Sequence, residues 1–269
     1  CEIAIVEGAP EGKLKQMLAY GARLYRIRGF GIDSHISEQV IECLKLLSVR
    51  PEAQMQISAF AYSPVGMSGV KSISHELSEQ AMSIDRKAWD HVFCMAGGGG
   101  LTLAVSLGFE QLQQSGQLQT LPRVECVQPE GNNTIAGPLR AGLNLAQTVQ
   151  CTSRISGLQV PQVIDGNEVI AACQRNGGTG HLLDDGFVWE TQSRLAREEG
   201  IFAEPAGSMA VAGALQAARE GYLDPEANIV CLITGSAFKD PPSLDAMVQN
   251  FSAPMIELVD LQRRVGPVC

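Results

Sequence analysis

Four consecutive glycines, Gly97 to Gly100, stand between a short apolar run, His91 to Ala96, and the segment Leu101 to Leu107, which reads as the opening of a helix. A strand that enters a turn without side chains and then starts a helix leaves several backbone N–H groups unpaired, backed by the positive end of the helix dipole. The chemistry available there is anion binding, of a phosphate above all. A flexible glycine loop would explain the tetrad taken alone. Its seat directly between an apolar strand and a helix favours the anion site, because close approach of backbone to phosphate requires that every Cβ be removed. A P-loop needs Gly-Lys-Ser/Thr at its end, and Leu101 after Gly100 argues against a nucleoside triphosphatase. The dinucleotide pattern G-x-G-x-x-G fails at its last position, since Gly97 and Gly99 lead to Thr102. Glu130, after the next strand, keeps a nicotinamide-dependent oxidoreductase open as an alternative.

Two later segments carry further candidates. Glu204 to Gly213 is a turn entering a helix rich in small residues, which suits either a tight helix contact or a ligand contact. Thr234-Gly-Ser-Ala-Phe-Lys-Asp-Pro241 follows an apolar run, Asn228 to Thr234, that reads as a strand in the middle of a parallel sheet covered on both faces. In open α/β sheets the ligand crevice lies outside the carboxyl ends of the strands, so Gly97–Gly100 and Thr234–Ser236 point to one rim. The Thr234 hydroxyl there either bonds a ring nitrogen of a cofactor or caps the next helical turn.

The elements that must position these residues alternate along the chain. Glu2 to Val6 and Leu24 to Ile27 read as strands, with a helix from Gly12 to Tyr20 between them. Asp33 reads as the N-cap of a helix with Ile36, Val40, Ile41, Leu44 and Leu47 on one face. A polar passage marked by Pro and Gly, Ser58 to Gly69, is the best domain boundary. A helix from Val70 to Ala81, the strand ending in the tetrad, the tetrad's helix and a strand from Arg123 to Val127 come next. This alternation predicts an α/β fold with helices on both sides of its sheet.

Composition narrows the functional classes. The chain has 269 residues, 45% of them hydrophobic, enough for a substantial core in one large or two modest domains. A net charge of −9 with no basic cluster argues against nucleic acid as a partner. No apolar stretch has the roughly 18 residues of a membrane span. The eight cysteines form no C-x-x-C pair, and Cys94, Cys126 and Cys231 lie in apolar runs, so they read as buried free thiols of a cytoplasmic protein. His35, His75, His91 and His181 lack metal-ligand spacing and read as structural or surface residues.

Several stretches also carry a resemblance. Ala96 to Leu101, Leu195 to Ala206 and Leu232 to Pro241 are similar to the corresponding stretches of pyridoxal-phosphate enzymes of the tryptophan synthase β-like fold (fold type II), nearest to threonine synthase. Gly8 to Ala22, Ile155 to Pro161 and Asp165-Gly166 resemble the same pattern, in the family's order. The resemblance implies open, twisted, mostly parallel sheets with helices on both faces, and a cofactor, pyridoxal 5'-phosphate. Gly97, Gly98, Gly99, Gly100 and the Leu101 amide would hold the cofactor phosphate, and Thr234 would stand at the pyridine nitrogen. It further implies a small amino-acid substrate, a homodimer, and a carbon–oxygen lyase that eliminates phosphate from O-phosphohomoserine and adds water to give threonine.

The sequence departs from the family's pattern in two places. The family's Schiff-base lysine is expected upstream of the strand that begins at Cys1, and Lys13, Lys15, Lys45, Lys71, Lys87 and Lys239 match no such position. The expectation is therefore a fragment that is inactive alone, with residues 1–64 a remnant of the small domain and 65–269 the large cofactor-binding domain; a non-catalytic binding module is the other reading. The second departure is Ser63-Pro-Val-Gly-Met-Ser-Gly-Val-Lys71, which lacks the arginine that threonine synthases place there for the substrate's phosphate. An ammonia-lyase or dehydratase acting on a hydroxy- or diamino acid is the alternative this raises.

Overall fold

The computed structural model describes residues 1–84 and 88–265. The chain opens with β1 (Glu2–Ile5), α1 (Glu11–Ala19), β2 (Arg23–Arg26) and α2 (Ser34–Ser48). Two further helices, α3 (Pro64–Gly69) and α4 (Ser72–Ser83), lead to β3 (His91–Met95), α5 (Gly100–Gln114) and β4 (Arg123–Pro129). The remainder comprises α6 (Ala136–Arg140), α7 (Gly166–Asn176), β5 (Gly180–Leu183), α8 (Asp185–Glu198), α9 (Pro205–Arg219), β6 (Ile229–Cys231), α10 (Pro241–Val248) and α11 (Leu258–Val265).

β1 and β2 pair in parallel as a two-stranded sheet, and the other four strands form a parallel sheet in the order β5-β4-β3-β6. Asp33 caps α2 as its sequence predicts, its carboxylate accepting from the Ile36 N–H at 3.0 Å. Of the apolar face expected on that helix, Val40 is buried, while Leu47 is 41% exposed.

The pleat of the larger sheet divides the core in two. Val92, Cys94, Val124 and Cys126 face α5 and α7, whereas Phe93, Met95, Val127 and Leu183 face α8 and α9. Helix α5 is enclosed nearly all round, with Leu103, Val105, Phe109 and Leu112 at most 4% exposed. Each such side chain contributes about 1.5–3 kcal/mol by leaving water. The glycine tetrad is therefore fixed to the head of a rigid helix.

One expectation is corrected here. The run Asn228 to Thr234 reads as the middle of a sheet, yet among the described residues β6 pairs with β3 alone and stands at the end of the strand order, its three residues half-buried. An unbroken apolar run suggests burial on both faces, but the order of strands is set by crossovers that the run does not encode.

Candidate functional site

Strand β3 ends at Met95, and the Ala96 N–H continues its ladder to the Val127 carbonyl at 2.9 Å. The tetrad then turns the chain into α5, with Gly99 as N-cap at φ 102°, a left-handed conformation in which a β-carbon would also meet Val169. Gly100 is equally constrained, since a β-carbon there would lie 2.6 Å from the Ser58 carbonyl oxygen.

The carbonyls of this turn are tied down in succession. The Gln128 side-chain Nε2 donates to Ala96 O at 3.2 Å and to Gly97 O at 3.4 Å. The Asp165 N–H donates to Gly98 O at 3.0 Å, and Leu103 N–H to Gly99 O at 2.9 Å. A trans peptide places its N–H opposite its C=O, and the described residues contain no cis bond. Anchoring the oxygens on one side thus turns the amides to the other. Among the described residues, no acceptor meets the N–H groups from Gly97 to Thr102. Such a row of orphan donors at a helix start is the arrangement that receives an anion.

Asp165 does more than supply its amide. Its buried carboxylate accepts from the Phe60 N–H at 2.7 Å and the Ala61 N–H at 2.9 Å. The passage read as a domain boundary is consequently fastened to the loop before α7, and its Ser58 carbonyl closes one side of the tetrad.

Thr234 emerges from the neighbouring strand. The Leu232 N–H extends the β6 ladder to the Phe93 carbonyl at 3.1 Å, and the chain then turns under the head of α9. There the Glu204 N–H donates to Gly235 O at 2.8 Å, and Ala203 and Ser236 form an antiparallel bridge. The Thr234 side chain is exposed, and its hydroxyl bonds no described residue. It caps no helix: Asp240 caps α10, accepting from the Ser243 N–H. Because β3 and β6 run parallel and adjacent, the tetrad and Thr234 leave the sheet at the same end. That end is a switch point, for β3 continues through α5 to β4 on one side while β6 returns from α9 on the other.

A cation also reaches this rim. The Lys13 ammonium on α1 donates to Ser156 Oγ at 3.2 Å and lies 3.5 Å from Glu204 Oε2. It also lies 3.4 Å from where a β-carbon of Gly157 would stand, and the Gly157 carbonyl in turn abuts Gly97. The Glu204 carboxylate is 10% exposed, and its Oε2 has no hydrogen-bond partner.

Lys13, Gln128 and Asp165 escape a reading of the sequence for site residues. Asp165 and Gly166 belong to a matched stretch, and Lys13 lies in another, but nothing local marks Gln128. The small-residue helix is explained by packing: a β-carbon at Gly213 would strike Val127 at 2.8 Å. His91 and His181 both prove structural, donating to or sharing a proton with the buried Glu125 carboxylate on the α9 face of the sheet, at 2.8 and 3.1 Å. Lys87 and Cys269 lie outside the described residues. Among the described residues there is no cluster fit to hold a metal ion, and no helix is long and apolar enough to cross a membrane. A surface cleft of about 310 Å³, lined by Trp89, Pro225, Glu226 and Asn228, lies where β3 and β6 begin, at the opposite end of the sheet from the tetrad.

Known proteins resemble this chain over most of its length. The family model described as pyridoxal-phosphate dependent enzyme matches residues 1–235. The threonine synthase of Methanocaldococcus jannaschii is 26% identical over 257 residues, covering 95% of this chain and 60% of the relative. That of Mycobacterium tuberculosis is 26% identical over 270 residues, covering 99% of this chain and 69% of the relative. Among solved structures, the processed form of threonine deaminase isoform 2 from Solanum lycopersicum superimposes with a TM-score of 0.68 at 21% identity, over 94% of this chain and 66% of that one. An L-serine ammonia-lyase from Rhizomucor miehei gives 0.68 at 18% identity, over 93% and 74%. The chain spans 60% and 55% of the length of the first two threonine synthases it matches. With the match extending from the first residue through Gly235, the chain belongs to the pyridoxal-phosphate dependent enzyme family.

Proposed function

We propose that this chain supplies the cofactor-phosphate cradle of a carbon–oxygen lyase of the threonine synthase type, which eliminates phosphate from O-phosphohomoserine and adds water to give threonine. The observation that carries the reading is the row of unpaired amides from Gly97 to Thr102, whose carbonyls are tied behind them. In this reading Gly97, Gly98, Gly99, Gly100 and Leu101 hold the cofactor phosphate, and Thr234 meets the pyridine nitrogen. Pyridoxal phosphate, when bound, supplies an electron sink for elimination and replacement at an amino-acid side chain. A neutral hydroxyl at the ring nitrogen keeps that sink weaker than a carboxylate would. The walls from Ser58, Gly157 and Ile164 exclude side chains from the cradle and leave room for main-chain contacts alone.

The same reading makes the chain part of a longer protein with its lysine elsewhere. Lys13 does not stand in for the arginine missing from Ser63 to Lys71: its ammonium lies beside Gly157 and Ser156 but is engaged by the Glu204 carboxylate at 3.5 Å. A second reading, an ammonia-lyase or dehydratase acting on a hydroxy- or diamino acid, is favoured by that missing arginine, because such substrates carry no leaving phosphate for a planar fork to grip.

Two assays separate these readings. The full-length protein, incubated with O-phosphohomoserine, is expected to release inorganic phosphate and threonine in equal amounts. Release of ammonia and a 2-oxo acid from serine, threonine or diaminopropionate, with O-phosphohomoserine inert, would transfer the assignment to the second reading. Titration of this chain with pyridoxal 5'-phosphate, followed by absorbance, tests the cradle separately: tighter binding than pyridoxal supports it.

A further inference from the structure

The peptide planes of the tetrad have two ends, and the rear end is held by a residue with no other role in the site. Gln128 is the sixth residue of β4 and fully buried, its side chain pointing to the α5 face of the sheet. Its carboxamide is completely engaged. Oε1 accepts from the Ile135 N–H at 2.7 Å and the Ala136 N–H at 2.9 Å. Nε2 donates to Thr134 Oγ1 at 2.9 Å, and to Ala96 O and Gly97 O. This pattern fixes which end is nitrogen, because two N–H groups meet one end and two carbonyls the other.

The peptide that carries Ala96 O also carries the Gly97 N–H, and the peptide that carries Gly97 O carries the Gly98 N–H. A donor on the carbonyl of a peptide polarises its N–H, so hydrogen bonds in such a chain strengthen one another. Resting on the reading of the tetrad as a phosphate site, we propose that Gln128 is a positioning residue for that site: it aims and polarises the Gly97 and Gly98 amides and so sets affinity for the phosphate of the ligand.

The test is the Gln128→Glu variant, which keeps the acceptor for Ile135 and Ala136 and removes the donor to Ala96 and Gly97. The quantity measured is the affinity for pyridoxal 5'-phosphate divided by that for pyridoxal, on the 269-residue chain, by fluorescence titration. At about pH 8 the variant's ratio is expected to fall about tenfold below that of the native chain. Toward about pH 5.5 the buried carboxyl takes up a proton, regains a donor, and the ratio recovers toward the native value at the same pH. Ala96, Gly97, Thr134, Ile135 and Ala136, which surround the carboxamide, do not titrate, so recovery with acid reports residue 128. A merely structural loss would leave the ratio unchanged at both pH values, and that result overturns the inference.

A native-chain measurement covers the case in which the variant fails to fold. In ¹⁵N NMR spectra the Gln128 side-chain amide is expected to shift on addition of pyridoxal 5'-phosphate together with Gly97 and Gly98, and to stay in place with pyridoxal. An unmoved Gln128 resonance beside shifting glycines overturns the role of Gln128 alone. A native chain that binds the two ligands equally overturns the phosphate cradle itself, and the inference with it.

Discussion

The Lys13 ammonium stands 3.5 Å from the Glu204 carboxylate, joining the first helix of the chain to the head of the helix that supports Thr234. Neither residue is fully exposed, so the pair is screened less than a surface ion pair. Removing Lys13 alone would leave Glu204 buried without a countercharge. Lys13→Met is expected to destabilise the chain by about 1–3 kcal/mol, and Lys13→Met combined with Glu204→Gln by less than the sum of the two single changes. Urea unfolding of the four proteins measures the coupling, and strict additivity would show the pair to be idle.

The tetrad should tolerate a methyl group unevenly. At Gly99 a β-carbon meets Val169 at 2.7 Å in a left-handed backbone, and at Gly100 it meets main chain. At Gly98 its nearest neighbour is the Ile164 side chain at 3.3 Å. Gly99→Ala and Gly100→Ala are each expected to weaken pyridoxal 5'-phosphate binding by about tenfold or more and to cost about 1–3 kcal/mol of stability, with Gly98→Ala milder on both counts. Equal losses at all three positions, read by titration and thermal melts, would contradict the geometry.

Stability should fall in acid for a reason located at Glu125. Burial pushes its pKa up, but hydrogen bonds from His181, His91 and the Thr179 N–H outweigh this and hold it down at about 2. Tyr222 adds a further donor at 3.2 Å. With the folded value below the unfolded one, the stabilisation is complete above the ordinary carboxylate pKa and disappears as pH falls through the folded value. Between about pH 4.5 and about pH 2 the chain is expected to lose roughly 3 kcal/mol from this group. Unfolding free energies over that range should slope steeply for the native chain and less for Glu125→Gln. Parallel slopes would assign the acid sensitivity elsewhere.

The thiols should react in two classes. Burial pushes the Cys94 and Cys126 thiols well up and raises Cys173 to about 12, while Cys1 and Cys43 are exposed. Brief alkylation near pH 8 is expected to modify Cys1 and Cys43 and to spare Cys94, Cys126 and Cys173 until the chain unfolds. Peptide mass mapping reads the outcome, and early labelling of Cys173 would refute the burial.

Local sequence was enough to specify several of the elements and to nominate one half of the candidate site. Alternation of apolar runs with helical periodicity is a local property, so β3, α5, β4 and the cap at Asp33 could be read directly. Four adjacent glycines likewise announce main-chain chemistry wherever they occur. The direction in which the amides face came from the folded chain alone, because it depends on donors from Gln128 and Asp165, which are remote in sequence and whose residue types are unremarkable. Folding likewise put β6 at the end of the strand order and brought Lys13 to the rim, since strand order and the docking of α1 arise from crossovers and packing rather than from any residue's own propensity.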